Sequence, residues 1–496
     1  MSGATNKLGR ILDQANAALE RESLGSAIML YRKALGMDKN NPKIMLRLGQ
    51  VLLSAGFVDE AIDIIRKSAK KRANHPDTMV ILAQAYLTKG DIPAMHAALE
   101  KALTQQPDHG AAILAMVKSH IDSGSVELAQ EFLERMGDAG KHDALALMAR
   151  AMVERELKHY EPAAQYLKQV LEGEDFLERH KRSARFELGA VYDGLKDYDT
   201  AFEYYQQANS GHIQGNVAHV PSIQSAWSKE VLNAIPASTI HDERPVIIAG
   251  MPRSGTTLTE RILQAHPFGG SVGECPLLLQ MVSRTLASNL DQERIDSYAS
   301  EYLGHLDTQV GSAAARVIDK HMGTEKSLGL ISKVLPKVRV IHALRDPRDC
   351  CLSAYFQNFG TNVPYSRDLS QLGQQYAAHR AMMDYWKEIL EIPVFTNIYE
   401  EFVIEPERHT RALIEFLGLE FDNACLKFYE SKDHVHTASA TQVRKPVYQS
   451  GRQRWKNYEQ HLGPLLEALG PYADGVHAQQ SLPSEAGIQD QGSESP

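Results

Sequence analysis

Cysteine is scarce in this chain. Four stand among 496 residues, and Cys275, Cys350, Cys351 and Cys425 form no C-x-x-C or Cys/His zinc spacing. No disulfide framework is legible, and no spacing-encoded metal site. A basic surplus is missing too: 53 Lys and Arg face 62 Asp and Glu, for a net charge of −9. That argues against a nucleic-acid binder, whose footprint is a basic excess. The longest apolar runs are short stretches such as Val246–Ala249, far below the ~20 residues that span a bilayer. The opening MSGATNKLGRILDQANAALE lacks an apolar stretch of signal-peptide length. The expectation is a soluble cytoplasmic protein with neither nucleic-acid nor membrane partners. Asp474–Pro496 has no Lys or Arg and is rich in Gln, Ser, Gly and acids. Such a composition cannot offset its ordering entropy, so residues 475–496 are expected to be a disordered tail.

What is present begins with a period. Ala27, Ala61, Ala129 and Ala163 lie on one 34-residue lattice, Met95 fills the missing step, and Gly49, Ala83, Val117 and Ala151 precede the next lattice position by twelve. A further unit, shifted by four, carries Leu188, Gly189, Tyr192, Ala201, Tyr205 and Ala208. Small residues at such positions let two helices approach closely, while larger apolar residues fill the seam. Gly56, Gly90 and Gly124 punctuate the turns within pairs, and Pro42, Pro76 and Pro107 mark boundaries between them. The pattern resembles tetratricopeptide (TPR) repeats. About six units are expected over residues 8–212, an all-α solenoid whose resemblance implies protein–protein contacts. A packing or oligomerisation scaffold with no ligand of its own is the other reading. The basic run Lys67–Arg72 is expected to be a solvated helix end.

Residues 213–243 lose the lattice and are expected to be a connector with a short helix near Ile223–Leu232. From Arg244 the texture changes. RPVIIAGMPRSGTTLTERILQAHP predicts a buried strand, a tight loop over Gly250–Gly255 and a helix from Thr256. Strand, glycine-bearing loop and helix N-terminus make a phosphate cradle, to which Ser254, Thr256 and Thr257 add hydroxyls. The Gly250-to-Gly255 spacing is that of a P-loop, but Thr256 stands where the Walker lysine belongs. A nucleoside-triphosphatase is correspondingly disfavoured, and an unliganded strand-to-helix turn is the plain alternative. A second unit, VRVIHALRDPRDCCLSAYF, predicts a strand, then Arg345, then a helix with Ser353 eight residues on. A strand-end guanidinium and a hydroxyl two turns later suit a phosphate. An arginine bonded to Asp346 or Asp349 is the simpler reading of the same residues.

PRSGTT, with the Arg345/Ser353 pair, resembles the sulfotransferases that use 3′-phosphoadenosine-5′-phosphosulfate (PAPS), and among them the protein-tyrosine sulfotransferases and bacterial relatives. The resemblance covers residues 244–474. It implies an α/β, P-loop-like domain with a mostly parallel sheet behind the solenoid, PAPS as donor and no metal. It also implies a 5′-phosphosulfate loop of Arg253, Ser254, Gly255, Thr256 and Thr257, and a 3′-phosphate site of Arg345 and Ser353. Glu274, 21 residues after Arg253 in SVGECP, is implied as the base, with Arg253 and Lys320 stabilising charge. Glu274 also reads as a surface residue capping a helix from Pro276, and His321 reads as structural. Lys445, in a K-P-V segment, is implied at phosphate. Ser450, Arg454 and Trp455 are implied near adenosine, while Lys456 reads equally as a solvent-facing residue. Tyr399, ending the strand PVFTNIY, reads equally as an adenine contact or as core. The acceptor is left open among a peptide or protein tyrosine, a small phenol and a saccharide hydroxyl. A P-loop kinase or nucleotidase and a non-catalytic TPR adaptor are the competing functions.

Overall fold

The computed structural model describes residues 2–20, 23–211, 215, 217–285, 290–360, 363–430 and 451–476. The chain divides into two compact units, one running to Tyr204 and one beginning at Tyr205.

The first unit is helical throughout. Helices Leu24–Met37, Pro42–Ser54, Val58–Lys71, Pro76–Lys89 and Ile92–Gln105 follow one another across short turns, and the series continues to Glu178–Gly194. Local chemistry sets the ends. The Asn41 side chain accepts from the N–H groups of Lys43 and Ile44, with Pro42 in the first turn, so orphan donors are satisfied and φ is preset. Gly56, Gly90 and Gly124 take φ of +84°, +81° and +78°, the left-handed value that closes each pair at least cost to glycine. The lattice alanines Ala27, Ala61, Ala129 and Ala163 are wholly buried. At Gly49 a Cβ would stand 2.3 Å from Ile65 Cγ1, so the helices meet where no side chain fits. Gly49→Ala is therefore expected to destabilise the unit by about 1–2 kcal/mol, overpacking outweighing the better helix propensity of alanine. A fall in the urea midpoint measures it. In the basic run, Lys67, Lys70 and Lys71 are solvent-exposed on the helix Val58–Lys71.

The second unit is built on five parallel strands, β1 (Pro245–Gly250), β2 (Gly269–Gly273), β3 (Arg316–Asp319), β4 (Arg339–Leu344) and β5 (Val394–Ile398), in the order β2-β3-β1-β4-β5. Alternation along β1 sends its side chains into two cores. Ile247 and Ala249 join Tyr298, Tyr302, Met382 and Trp386 on one face, while Val246 and Ile248 join Ile262, Leu413, Ile414 and Phe428 on the other. Helices thus cover both faces, which is why the central strand reads as an unbroken apolar run.

Residues 217–243 pack into this unit. Instead of one helix, two short ones form, Val220–Ala226 and Lys229–Ala234. Ser228 separates them by accepting the Val231 N–H on its hydroxyl, the restart an N-cap serine favours. Trp227 and Leu232 are buried in the core.

Behind β4, His342 meets His379 of the helix Leu369–Ile389 with Nε2 atoms 3.1 Å apart. One ring must donate and the other accept, so both cannot be charged. Burial, with His379, Lys387 and Arg380 nearby, holds the His342 pKa well below its ordinary value. Glu325 faces the far side of His379, its Oε1 3.8 Å from Nδ1. The unfolded chain takes up a proton at His342 near pH 6.5, whereas the folded one does not. The stabilisation present above that pH is lost as pH falls, by up to about 1.4 kcal/mol per unit for one proton. Urea midpoints between pH 7.5 and 5 test this: His342→Gln is expected to flatten the slope by about one proton.

Candidate active site

β1 delivers the chain into a tight loop. The Ser254 N–H donates to Met251 O at 3.1 Å, closing a β-turn with Pro252 second and Arg253 third. Arg253 has φ of +71°, the left-handed value a type II turn demands there, at a cost of about 1–2 kcal/mol for a residue with a Cβ. Gly255 follows at φ +101° and caps the helix Thr256–Gln264. The loop is tightly walled: a Cβ on Gly250 would meet Ser254 Oγ at 2.6 Å and Ala343 O at 2.9 Å, and one on Gly255 would meet the Tyr399 ring at 3.2 Å. Ser254 Oγ is buried with no hydrogen-bond partner among the described residues. A buried orphan hydroxyl beside a helix N-terminus is what an anionic phosphate would satisfy.

The remaining candidates stand at the same edge of the sheet. Glu274 directly follows β2, Lys320 follows β3, Arg345 follows β4 and Tyr399 follows β5. In a parallel sheet all five carboxyl ends point one way, so residues up to 146 positions apart in sequence, from Arg253 to Tyr399, share one rim. Tyr399 is the first residue of a short helix, Tyr399–Ile404, one step beyond the strand it was expected to end.

Two clusters form on this rim. In one, Lys320 Nζ donates to Glu274 Oε1 at 3.1 Å and lies 3.6 Å from Glu260 Oε2. Lys320 is 5% exposed and Glu274 45%, so the ammonium is fixed within the protein while the carboxylate faces solvent. Ser271 Oγ donates to Glu260 Oε1 at 2.7 Å. Below them, burial pushes the Asp319 carboxyl up to about 7. His321 is tied locally, its Nδ1–H donating to Met322 O at 2.8 Å.

In the second cluster Arg253 Nε donates to Ser353 Oγ at 3.0 Å. Arg345 donates from Nη1 to Arg253 O at 3.1 Å and from Nη2 to Gly451 O at 2.6 Å. Its guanidinium carbon lies 4.7 Å from the centre of the Tyr399 ring, and its buried Nε has no partner among the described residues. The strand-end arginine is thus bonded to carbonyls, and Asp346 instead takes Arg348, Nη2 to Oδ2 at 2.7 Å. Asp349 accepts the N–H groups of Gln453 and Trp455 at 2.6 and 2.9 Å, and burial raises its pKa despite both bonds. Arg348 stacks on Trp455 at 4.0 Å, while Lys456 is exposed. Lys445 and Ser450 lie outside the described residues. Cys350 donates its thiol to Pro252 O at 3.4 Å, and burial pushes its pKa up to about 12. It is a packing residue under the loop, with negligible thiolate at neutral pH.

Residues 245–423 match the sulfotransferase family, and residues 18–77, 86–153 and 183–210 match tetratricopeptide repeats. The chain carries a sulfotransferase-family domain behind TPR repeats. Among its relatives, an uncharacterised protein of Aquifex aeolicus is 31% identical over 332 residues, covering 62% of this chain and 43% of that protein. The Drosophila melanogaster protein-tyrosine sulfotransferase is 25% identical over 274 residues, 47% of this chain and 53% of the relative. Human protein-tyrosine sulfotransferase 1 is 27% identical over 276 residues, 47% and 72% respectively. The chain spans about half the length of the first two. Among solved structures, the sulfotransferase domain of the Synechococcus PCC 7002 olefin synthase aligns at 19% identity with TM-score 0.35, covering 45% of this chain and 90% of that one. MamA aligns at 17% with TM-score 0.24, covering 42% and 91%. No helix among the described residues is long and apolar enough to cross a membrane.

The sulfotransferase-family domain also holds residues to which the motifs give no site role: Glu260, Asp319, Asp349 and Gly451. The three acids each left a faint trace. Glu260 is an acid one helical turn beyond Thr256 in TTLTERIL, and Asp319 is an acid closing the apolar strand RVID. Asp349 sits in the first turn of its helix, where an acid is ordinary. Gly451 carried no local signal, since its role is to bring a carbonyl to an arginine 106 residues earlier.

Proposed function

We propose that this chain transfers the sulfuryl group of PAPS to an acceptor hydroxyl, with a tyrosine of a peptide or protein as the favoured acceptor. One observation carries the reading: the loop with its orphan hydroxyl, the Glu274–Lys320 pair and the Arg253–Ser353–Arg345 cluster all stand at the carboxyl rim of one parallel sheet. Bound there, PAPS would supply an activated sulfuryl group on a good leaving phosphate. Ser254 to Thr257 would hold the 5′ side through hydroxyls and helix N–H groups. Arg345 and Ser353 would hold the 3′-phosphate, with Tyr399 and the 451–455 segment beside the nucleoside and Lys445 at phosphate. Arg253 and Lys320 would meet the negative charge that develops during transfer. Glu274, the exposed member of its pair, would take the acceptor's proton. The tyrosine preference draws on the relatives' names. Presentation of a peptide by the TPR repeats draws on adjacency in one chain.

A thermal-shift and turnover pair tests the proposal. 3′-Phosphoadenosine 5′-phosphate (PAP) is expected to raise the melting temperature in the presence of EDTA, and labelled sulfate is expected to pass from PAPS to a peptide tyrosine. Stabilisation by ATP–Mg²⁺ alone would instead indicate a kinase or nucleotidase. PAP binding without any turnover would indicate an adaptor.

A further inference from the structure

The Glu274–Lys320 pair is held by a residue outside the sulfotransferase motifs. β2 and β3 run in register until a shift between Ser271 and Gly273, and their last ladder bond is Lys320 N–H to Gly273 O at 2.8 Å. Beyond that point the sheet no longer orients residues 274 and 275. The Asp319 side chain takes over: its Oδ1 accepts the N–H of Cys275 at 3.4 Å and the N–H of His321 at 3.2 Å. Cys275 follows Glu274, and His321 follows Lys320. Oδ2 accepts the hydroxyl of Tyr302, 3.2 Å away on the helix Gln292–Val310. Both Asp319 and Tyr302 are buried, at 1% and 0% exposure. Two backbone N–H groups and one hydroxyl converge there, and the two oxygens of a carboxyl group can accept from all three.

We propose that Asp319 is a positioning residue, a clip joining the two strand-end loops so that Glu274 and Lys320 stay within 3.1 Å of each other. As a statement about catalysis it rests on the sulfuryl-transfer reading. As a statement about the loops it stands alone. Losing the clip leaves both reactive side chains intact but lets their backbones move independently, and a shift of about 1 Å in a catalytic group can cost on the order of 10²-fold in rate. The phosphate-binding side does not depend on it, because Ser254, Arg345 and Ser353 hang from β1 and β4.

The test uses the full chain with Asp319→Ala and Asp319→Asn. Asparagine keeps the oxygen that accepts both N–H groups, and its amide can donate to the Tyr302 oxygen. Asp319→Ala is expected to lower kcat at least 30-fold, with KM for PAPS and Kd for PAP within threefold of wild type. Asp319→Asn is expected to stay within fivefold of wild-type kcat. Amide hydrogen exchange at Cys275 and His321 is expected to quicken at least tenfold in Asp319→Ala and to remain near wild type in Asp319→Asn. Unchanged exchange in the alanine variant overturns the clip, as does a kcat within threefold of an active wild type. If the alanine variant does not fold, the asparagine variant decides: a chain that binds PAP but has lost protection or turnover refutes the proposal. A wild type without PAPS turnover refutes the sulfuryl-transfer reading, and the exchange data still judge the clip.

Discussion

Replacing Glu274 by alanine is expected to lower kcat for sulfuryl transfer by about 10²–10⁴-fold, the usual worth of a positioned general base, while Kd for PAP stays within a factor of three. The separation follows from the architecture. Glu274 leaves the end of β2, at one edge of the sheet, whereas the phosphate-binding candidates leave β1 and β4 in its interior. Removing the carboxylate leaves Lys320 with Glu260 Oε2 3.6 Å away, so the buried ammonium keeps a counter-charge and the fold is spared the 3–5 kcal/mol that a stranded buried charge costs. Glu274→Gln should be nearly as inactive, since an amide accepts no proton at neutral pH. The decisive measurement is single-turnover transfer from labelled PAPS at saturating donor. A Glu274→Ala enzyme within threefold of wild type would remove this residue from the role of base.

Arg345→Ala is expected to act on the other half of the reaction, weakening PAP binding on the order of 10²–10³-fold. Hydrogen bonds to a charged group are worth about 1.5–3 kcal/mol each, and the guanidinium fork can offer a phosphate two. In the free protein its Nη atoms bond to the carbonyls of Arg253 and Gly451, so the substitution also frees the 451–455 segment from one of its ties. The Asp349 bonds to Gln453 and Trp455 remain, which should keep the loss local. Arg345→Lys is expected to recover little, because one ammonium cannot reach both carbonyls or grip a phosphate bidentately. Titration calorimetry with PAP, read beside the melting temperature without ligand, distinguishes lost binding from lost folding.

The two predictions fall on residues with very different visibility in sequence. Arg345 stands at the end of an apolar run and before a proline-started helix, so both its place and its chemistry are local facts. Glu274 is a glutamate in a short polar stretch, and its meaning depends on Lys320 lying 3.1 Å away. The solenoid was legible for a similar reason to Arg345: a repeat imposes the same packing problem every 34 residues, and small residues recur wherever helices must touch. The connector forms two helices where its sequence suggests one, because Ser228, an ordinary serine in sequence, becomes an N-cap once the chain turns there. Glu260 and Asp319 were invisible as site residues. An acid inside an apolar segment is a signal only when its partner is known, and here Lys320 and Ser271 for Glu260, and Cys275 and Tyr302 for Asp319, come from other elements.

Sequence alone determined the helix-pair period, the tight loop after β1 with its missing lysine, the apolar strands and the order in which the cationic residues arrive. All of these are set by interactions within about thirty residues, where periodicity, glycine conformation and proline geometry act directly. Tertiary structure alone decided the strand order β2-β3-β1-β4-β5, and with it which strand ends adjoin. That order seats Glu274 beside Lys320 and brings the Cys275 N–H to Asp319, while the segments packed around the sheet bring the Tyr302 hydroxyl to Asp319 and the Gly451 carbonyl to Arg345. Such contacts come from burying two apolar faces of one sheet at once. The residues they join are otherwise strangers in the chain, which is why scarce cysteine and a net negative charge revealed little about a rim that gathers Arg253, Lys320 and Arg345.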